Sequence, residues 1–175
     1  MRYLAILFAL LALVTFGLYG YGRHLPKEYT ADVSAVYQQP IEKVWERISD
    51  FEHMPEWFPE VVKVERVADL DGFPVWRLYP KKGDPIDIEL IRTEKPRLHI
   101  SKIVDNDQLP YGGTWVFQLK PVGDVATEIK LTEDGYIKTP LMRVFFMYAV
   151  GYDAMIKKHL LELGASFGEK TEVKP

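Results

Sequence analysis

The sequence predicts an α+β domain in which an antiparallel sheet of about six or seven strands packs against one long C-terminal helix. Three observations predict this class: short alternating segments separated by hairpin-length turns, a short helix after the first strand, and one long amphipathic segment near the C-terminus. Hairpin-length turns indicate antiparallel pairing. A sheet with one apolar face also needs a cover, and the last helix is the only long candidate.

An uncharged apolar segment, residues 3–22, precedes the domain and lies between Arg2 and Arg23. Twenty helical residues span about 30 Å, the thickness of the hydrocarbon core of a bilayer. We expect an uncleaved membrane anchor over residues 1–23 rather than a signal peptide, because the apolar run is long and lacks an Ala-x-Ala cleavage site. Positive charges on the two sides nearly balance, and the short N-terminal side favours a domain outside the cytoplasm.

A polar linker at residues 24–28 leads into the first predicted strand, residues 29–37, where apolar and polar residues alternate. Pro40 suits the first turn of a helix, and the apolar residues after it recur at helical spacing. Pro55 and Pro59 then limit any second helix to a short turn.

The rest of the sheet is predicted from alternating segments bounded by turn residues. These segments are residues 61–68, 75–79, 86–93, 98–104, 114–119 and 126–137.

The last predicted helix begins at Thr139 and Pro140, which suit a cap and a first helical position. It is expected to continue to residue 163, before the stop at Gly164, with a length of about 36 Å. The domain therefore covers residues 29–167, and residues 168–175 form a charged tail.

Two motifs at opposite ends of the domain resemble a known superfamily: Glu56-Trp-Phe-Pro-Glu-Val61 after the first helix, and Leu131-Thr-Glu-Asp-Gly-Tyr-Ile137 before the last. The order of elements over residues 37–61 resembles the opening of the START-like superfamily, also called SRPBCC or Bet v 1-like. The motifs look most like its polyketide cyclase/dehydrase and lipid-transport group. This resemblance implies a helix-grip fold over residues 29–167, in which a curved antiparallel sheet wraps around the C-terminal helix and leaves an apolar cavity between them.

Composition excludes several classes of function. The net charge is −3 without a basic stripe, so nucleic acid is not an expected partner. The chain has no cysteine, which excludes disulfides, thiolate metal ligands and a cysteine nucleophile. Its four histidines are scattered and lack the short spacing that is typical of metal ligands, so neither a metal nor another cofactor is expected. The oligomeric state is left open.

Aromatic residues from different elements are the candidate ligand-binding set. Such residues usually form a solid core, but the resemblance favours a cavity that they line. The candidates are Trp57, Phe58, Trp76, Tyr79, Tyr111, Trp115, Phe117, Phe145, Tyr148 and Tyr152. Residues 145–150 are apolar nearly all round, so one side of this helix needs a cover other than the sheet.

Polar candidates are fewer. Arg143 suits either an ion pair with Glu133 or Asp134 or an anchor for a ligand carboxylate or phosphate. His99, Asp87 and Glu89 are candidate general bases on predicted strands, but alternation makes outward-facing positions the default for them. No catalytic residue is assigned.

We therefore expect a membrane-tethered domain that binds or passes a hydrophobic small molecule such as a lipid, a quinone or a polyketide-like compound. One alternative is a cyclase/dehydrase-type enzyme that uses acid/base groups in the same cavity. The other is a non-catalytic assembly factor for a membrane complex.

Overall fold

A seven-stranded antiparallel sheet forms the body of the structure, a computed structural model that describes residues 1–175. The strands are β1 (Glu28–Tyr37), β2 (Val61–Leu70), β3 (Phe73–Pro80), β4 (Ile86–Glu94), β5 (Leu98–Ile103), β6 (Tyr111–Val122) and β7 (Ala126–Ile137). Their order across the sheet is β1-β7-β6-β5-β4-β3-β2. The chain therefore crosses from one edge of the sheet to the other between β1 and β2.

Helices make up the remainder of the fold. They are α1 (Arg2–His24), α2 (Ile41–Ser49), α3 (Met54–Trp57), α4 (Pro140–Phe145), a π-helical turn (Phe146–Val150) and α5 (Ala154–Ser166). The pair α2 and α3 forms the crossover from β1 to β2 and buries one face, including Val44 and Trp45, against the sheet.

The core lies between the inner face of the sheet and α5. Alternation places Leu131 of β7 inside, where it meets Ile156 and Leu160 of α5, and all three are fully buried. The Tyr37 hydroxyl donates a hydrogen bond of 2.8 Å to the Leu160 carbonyl and so joins β1 to α5. The predicted α+β class and helix-grip arrangement are confirmed.

The C-terminal helix is present, but the prediction of one unbroken helix over residues 140–163 is wrong. Gly151 has φ +88° and ψ 142°, a conformation that side chains disfavour, and it separates the π-helical turn from α5. The two halves have different neighbours: α5 packs on the sheet, whereas α4 packs against the end of α1.

Arg143 holds the contact between α4 and α1. Its guanidinium is almost fully buried and donates hydrogen bonds to the carbonyls of Ile137 and Lys138, at 2.8 and 2.7 Å, and to those of Gly22 and Leu25, at 3.1 and 3.2 Å. Carbonyls at the end of a helix lack partners within it, and a cation there also complements the helix dipole. The expected ion pair with Glu133 or Asp134 and the expected ligand anchor are both wrong, because backbone carbonyls occupy the guanidinium.

Gly22 permits this contact because its backbone lies directly against Pro140, where a Cβ atom would collide with the Pro140 carbonyl. We therefore expect Gly22→Ala to loosen α4 from α1 and to speed amide hydrogen exchange within α4, measured by mass spectrometry on the full chain in detergent. Gly20→Ala is the matched control, since no heavy atom lies within 4 Å of the Cβ position there. Equal exchange in the two variants would contradict this account of the contact.

Candidate functional site

A cavity of about 400 Å³ lies between the inner face of the sheet and the helices. Of its 27 lining residues, 17 are hydrophobic, and the remainder supply a few polar groups. This size and composition are typical of sites for small organic ligands, which measure roughly 300–1,000 Å³. The lining comes from all seven strands, from the crossover helices, from the segment around Gly151 and from α5.

Five of the ten predicted aromatic residues line this cavity. They are Phe58, Tyr111, Trp115, Phe117 and Tyr152.

The other five lie elsewhere. Trp57 is buried in the core beside His159, and Trp76 stacks on Phe51, which itself lines the cavity. Tyr79 donates a hydrogen bond of 2.5 Å to Glu65 and does not line the cavity. Alternation explains Tyr79, because its neighbour Leu78 occupies the inward position.

Phe145 and Tyr148 point away from the cavity and are 57% and 66% exposed. The break at Gly151 explains their placement, since it detaches this half of the helix from the sheet. Phe146, which was not predicted, lines the cavity instead.

A carboxylate, Glu133 of β7, also lies in the cavity wall. Its Oε1 accepts a hydrogen bond of 3.1 Å from the Tyr29 hydroxyl, and the Tyr29 ring stacks on Tyr152 at 4.4 Å between centroids. Burial raises the pKa of Glu133, and hydrogen bonds from Trp115 and Tyr29 oppose this rise only in part. The site therefore contains a carboxyl group that favours its protonated form more than an exposed glutamate does.

Sequence reasoning missed Glu133 although the alternation of β7 indicates it. Ile129 and Leu131 of this strand are fully buried, and the same two-residue period continues to Glu133. Tyr29 follows the same rule on β1, since it shares the parity of the buried Val33 and Tyr37.

Two histidines line the cavity as well. His99 of β5 and His159 of α5 are 1% and 2% exposed, and the Nδ1 atoms of both rings lack a hydrogen-bond partner within the protein. Burial lowers the pKa of His99 to about 4. Burial also lowers the pKa of His159, and electrostatic repulsion from His99 adds to this effect, so that the value falls to about 3. Both rings are therefore neutral near pH 7, each with a nitrogen that is free to bond to a ligand.

The outward orientation expected for His99 is wrong. The inner face of β5 is formed by His99 and Ser101, both buried, whereas Leu98 and Ile100 are only partly buried. Asp87 instead forms a two-bond ion pair with Arg77, at 2.7 and 2.8 Å, and neither Asp87 nor Glu89 lines the cavity.

The arrangement suits an amphipathic organic ligand. Trp115 lies between the two polar ends, because it pairs with Glu133 across β6 and β7 and its ring centroid is 5.1 Å from that of His159. A largely apolar molecule with one or two polar atoms could bury its body against the aromatic rings and bond at either end. No group of three or more histidine, aspartate or glutamate side chains is arranged to hold a metal ion.

Comparisons with known proteins agree with this geometry. The family model described as "Polyketide cyclase / dehydrase and lipid transport" matches residues 29–163. Among proteins with curated functions, no sequence matches the chain.

Three solved structures share the fold at low sequence identity. A START superfamily protein from Mycobacterium smegmatis is 16% identical, with a TM-score of 0.63, over 78% of this chain and 95% of that one. The Zhui aromatase/cyclase from Streptomyces sp. R1128 is 19% identical, with a TM-score of 0.61, over 80% and 94%. Norcoclaurine synthase from Thalictrum flavum is 12% identical, with a TM-score of 0.62, over 81% and 87%.

The two buried histidines predict a loss of stability in acid. Their folded pKa values lie below the ordinary value of 6.5, so the unfolded chain binds protons first as the pH falls. Each histidine then lowers the free energy of unfolding by about 2 kcal/mol at pH 5 relative to pH 7, whereas Glu133, with its raised pKa, acts in the opposite direction.

Denaturant unfolding of His159→Phe at the two pH values tests this expectation. The variant should lose less stability between pH 7 and pH 5 than the parent chain, because it retains aromatic packing without the titrating group. His24→Gln, which alters an exposed histidine, should behave like the parent. An unchanged pH dependence in His159→Phe would contradict the burial of a neutral ring.

Proposed function

The chain belongs to the polyketide cyclase/dehydrase and lipid transport family, and on this premise we propose that it binds or transfers a hydrophobic small molecule beside a membrane. The observation that supports this most directly is the largely apolar cavity with a few convergent polar groups. A lipid, a quinone or a polyketide-like compound fits these requirements, since each has an extended apolar body and a small number of oxygen atoms.

The membrane tether is supported by α1. This helix has a mean hydropathy of 2.1 in its most apolar window, and none of that window is buried within the protein. Its exposed side chains are almost all apolar, and a helix of this kind is stable in lipid. A cavity held next to a bilayer meets its lipids at a high effective concentration, which favours loading despite modest affinity.

Extraction and mass spectrometry of the full chain, purified in mild detergent, test this function. We expect a hydrophobic compound to be recovered in proportion to protein. In Trp115→Ala the recovered amount should fall roughly tenfold, as it would for about 1.4 kcal/mol of lost contact. The variant's stability should change little by comparison, because Trp115 is partly buried in a cavity wall.

Trp45→Ala is the matched control for that experiment. Trp45 is 5% exposed in the core and does not line the cavity, so its truncation should cost about 3–5 kcal/mol of stability. If Trp115→Ala loses as much stability as Trp45→Ala, Trp115 belongs to the folding core. Recovery of no compound from the parent chain would contradict the binding function and favour an assembly role.

A second candidate, an acid/base enzyme of cyclase or dehydrase type, is favoured by one specific observation. Glu133 and Tyr29 place a carboxyl group of raised pKa and a neutral phenol side by side in the cavity wall. A carboxylate of this kind is a suitable base for removing a proton from a carbon next to a carbonyl group, and the phenol is a suitable donor to the developing oxyanion.

Glu133→Gln distinguishes the enzyme from the carrier. If the cavity is catalytic, the compound extracted from the variant should differ in mass from that of the parent, for example by one water molecule retained before dehydration. Tyr29→Phe should convert the compound only in part, so that both the unconverted and the converted masses are recovered. Identical masses in all three proteins, with only the amounts changed, would contradict the enzyme hypothesis and leave the binding function intact.

A further inference from the structure

We propose that the outer surface of the α4 segment lies in the headgroup region of the bilayer, so that one wall of the cavity directly borders lipid. This surface, the α4 patch, consists of Leu141, Phe145, Met147, Tyr148 and Val150. The inference rests on one part of the proposed function, namely that α1 crosses the membrane. It adds the position of the cavity relative to the lipids.

The α4 patch is a cluster of solvent-exposed apolar side chains. Its five side chains are between 36% and 66% exposed and lie within one segment of 11 residues, Pro140–Val150. Contiguous apolar surface of this kind usually marks a contact site. The only charged residue in the segment is Arg143, and its guanidinium is buried against backbone carbonyls. The patch therefore presents no charge that would keep it in water.

The position of the patch relative to the membrane follows from its attachment to α1. Arg143 and the close approach of Gly22 to Pro140 fix α4 at the C-terminal end of that helix. The hydroxyls of Tyr21 and Tyr148 also form a hydrogen bond of 2.6 Å. Tyr21 lies about one helical turn before the end of α1, the depth at which tyrosine side chains concentrate in membrane proteins.

Continuity with α1 identifies the occupant as lipid. The exposed apolar surface of α1 continues through Tyr21 onto Tyr148, so lipid that surrounds the helix end also reaches the patch. Basic groups, Arg23 and His24, follow in the last turn of α1, where lipid headgroups would accommodate them. The segment has only 11 residues, too few to cross a bilayer, so its apolar surface is expected to lie along the interface rather than across it.

The same segment forms part of the cavity wall. Phe145 is directed outward and its neighbour Phe146 inward, and Tyr152 and Met155 continue the lining beyond Gly151. Cavity and patch are therefore separated by the thickness of a single helical segment. With the patch in lipid, a hydrophobic ligand can pass between bilayer and cavity around this wall without crossing bulk water.

Because the chain has no cysteine, single labels test the proposal in the full-length protein. Met147→Cys in the patch and Val125→Cys in the β6–β7 turn both replace an exposed apolar residue. Val125 precedes β7, whose 12 residues extend about 40 Å towards α4. Each variant is labelled with an environment-sensitive fluorophore and reconstituted in phosphatidylcholine nanodiscs. Quenching is measured with lipids that carry a spin label on the headgroup or on the acyl chain, and nanodiscs without spin-labelled lipid give the reference.

We expect blue-shifted emission and severalfold stronger quenching by headgroup spin labels at position 147 than at position 125. Equal quenching at the two positions overturns the proposal. Shielding of position 147 that is lost on dilution to one protein per nanodisc also overturns it, because a second copy would then be the occupant.

A transfer assay separates this proposal from the binding function. Phe145→Gln combined with Met147→Gln should retain the co-purified compound but pass it more slowly to phosphatidylcholine vesicles, since the patch no longer enters the interface. An unchanged transfer rate counts against the patch. If position 147 is unquenched while the parent chain still yields a bound compound, the patch proposal fails and the binding function stands.

Discussion

The mismatch in length between the sheet and the helix that covers it is the constraint on which the structure depends. Strands β6 and β7 have 12 residues each and extend about 40 Å, whereas α5 has 13 residues and extends only about 20 Å. An unbroken helix from residue 140 would have covered nearly the full length of the strands. Because the helix breaks at Gly151, part of the inner face is left without a helical cover, and the cavity occupies that space.

The same break accounts for the connection to α1. Released from the sheet, α4 packs on the end of the apolar helix, and Arg143 satisfies carbonyls that neither element can satisfy alone. The cavity, its outer wall and the helix end are thus consequences of one glycine conformation and one buried guanidinium. A polar group is normally costly to bury, and here four hydrogen bonds offset that cost.

Much of this could be predicted from the sequence, because period-two alternation specifies which strand residues face inward. The class, the strand order along the chain and the inward positions of Trp115 and Phe117 all follow from it. The same rule indicates that Glu133 and Tyr29 face inward, although neither is among the predicted site residues. Tertiary interactions could not be predicted in this way, because two of the four carbonyls that Arg143 binds belong to Gly22 and Leu25, more than 100 residues away in the sequence. The pattern of apolar residues also does not distinguish a bend from a straight helix at Gly151.

Polar atoms without partners are the remaining feature that a solid core would not explain. Free nitrogens of His99 and His159 face an otherwise aromatic environment, and such groups usually find a ligand or an ordered water. An experimental structure of the full chain in a lipid environment tests the account most directly. We predict a broken helix at Gly151 and non-protein density in the cavity between Glu133 and His159. A continuous helix from Pro140 to Ser166 that fills this space, with no cavity left, would contradict it.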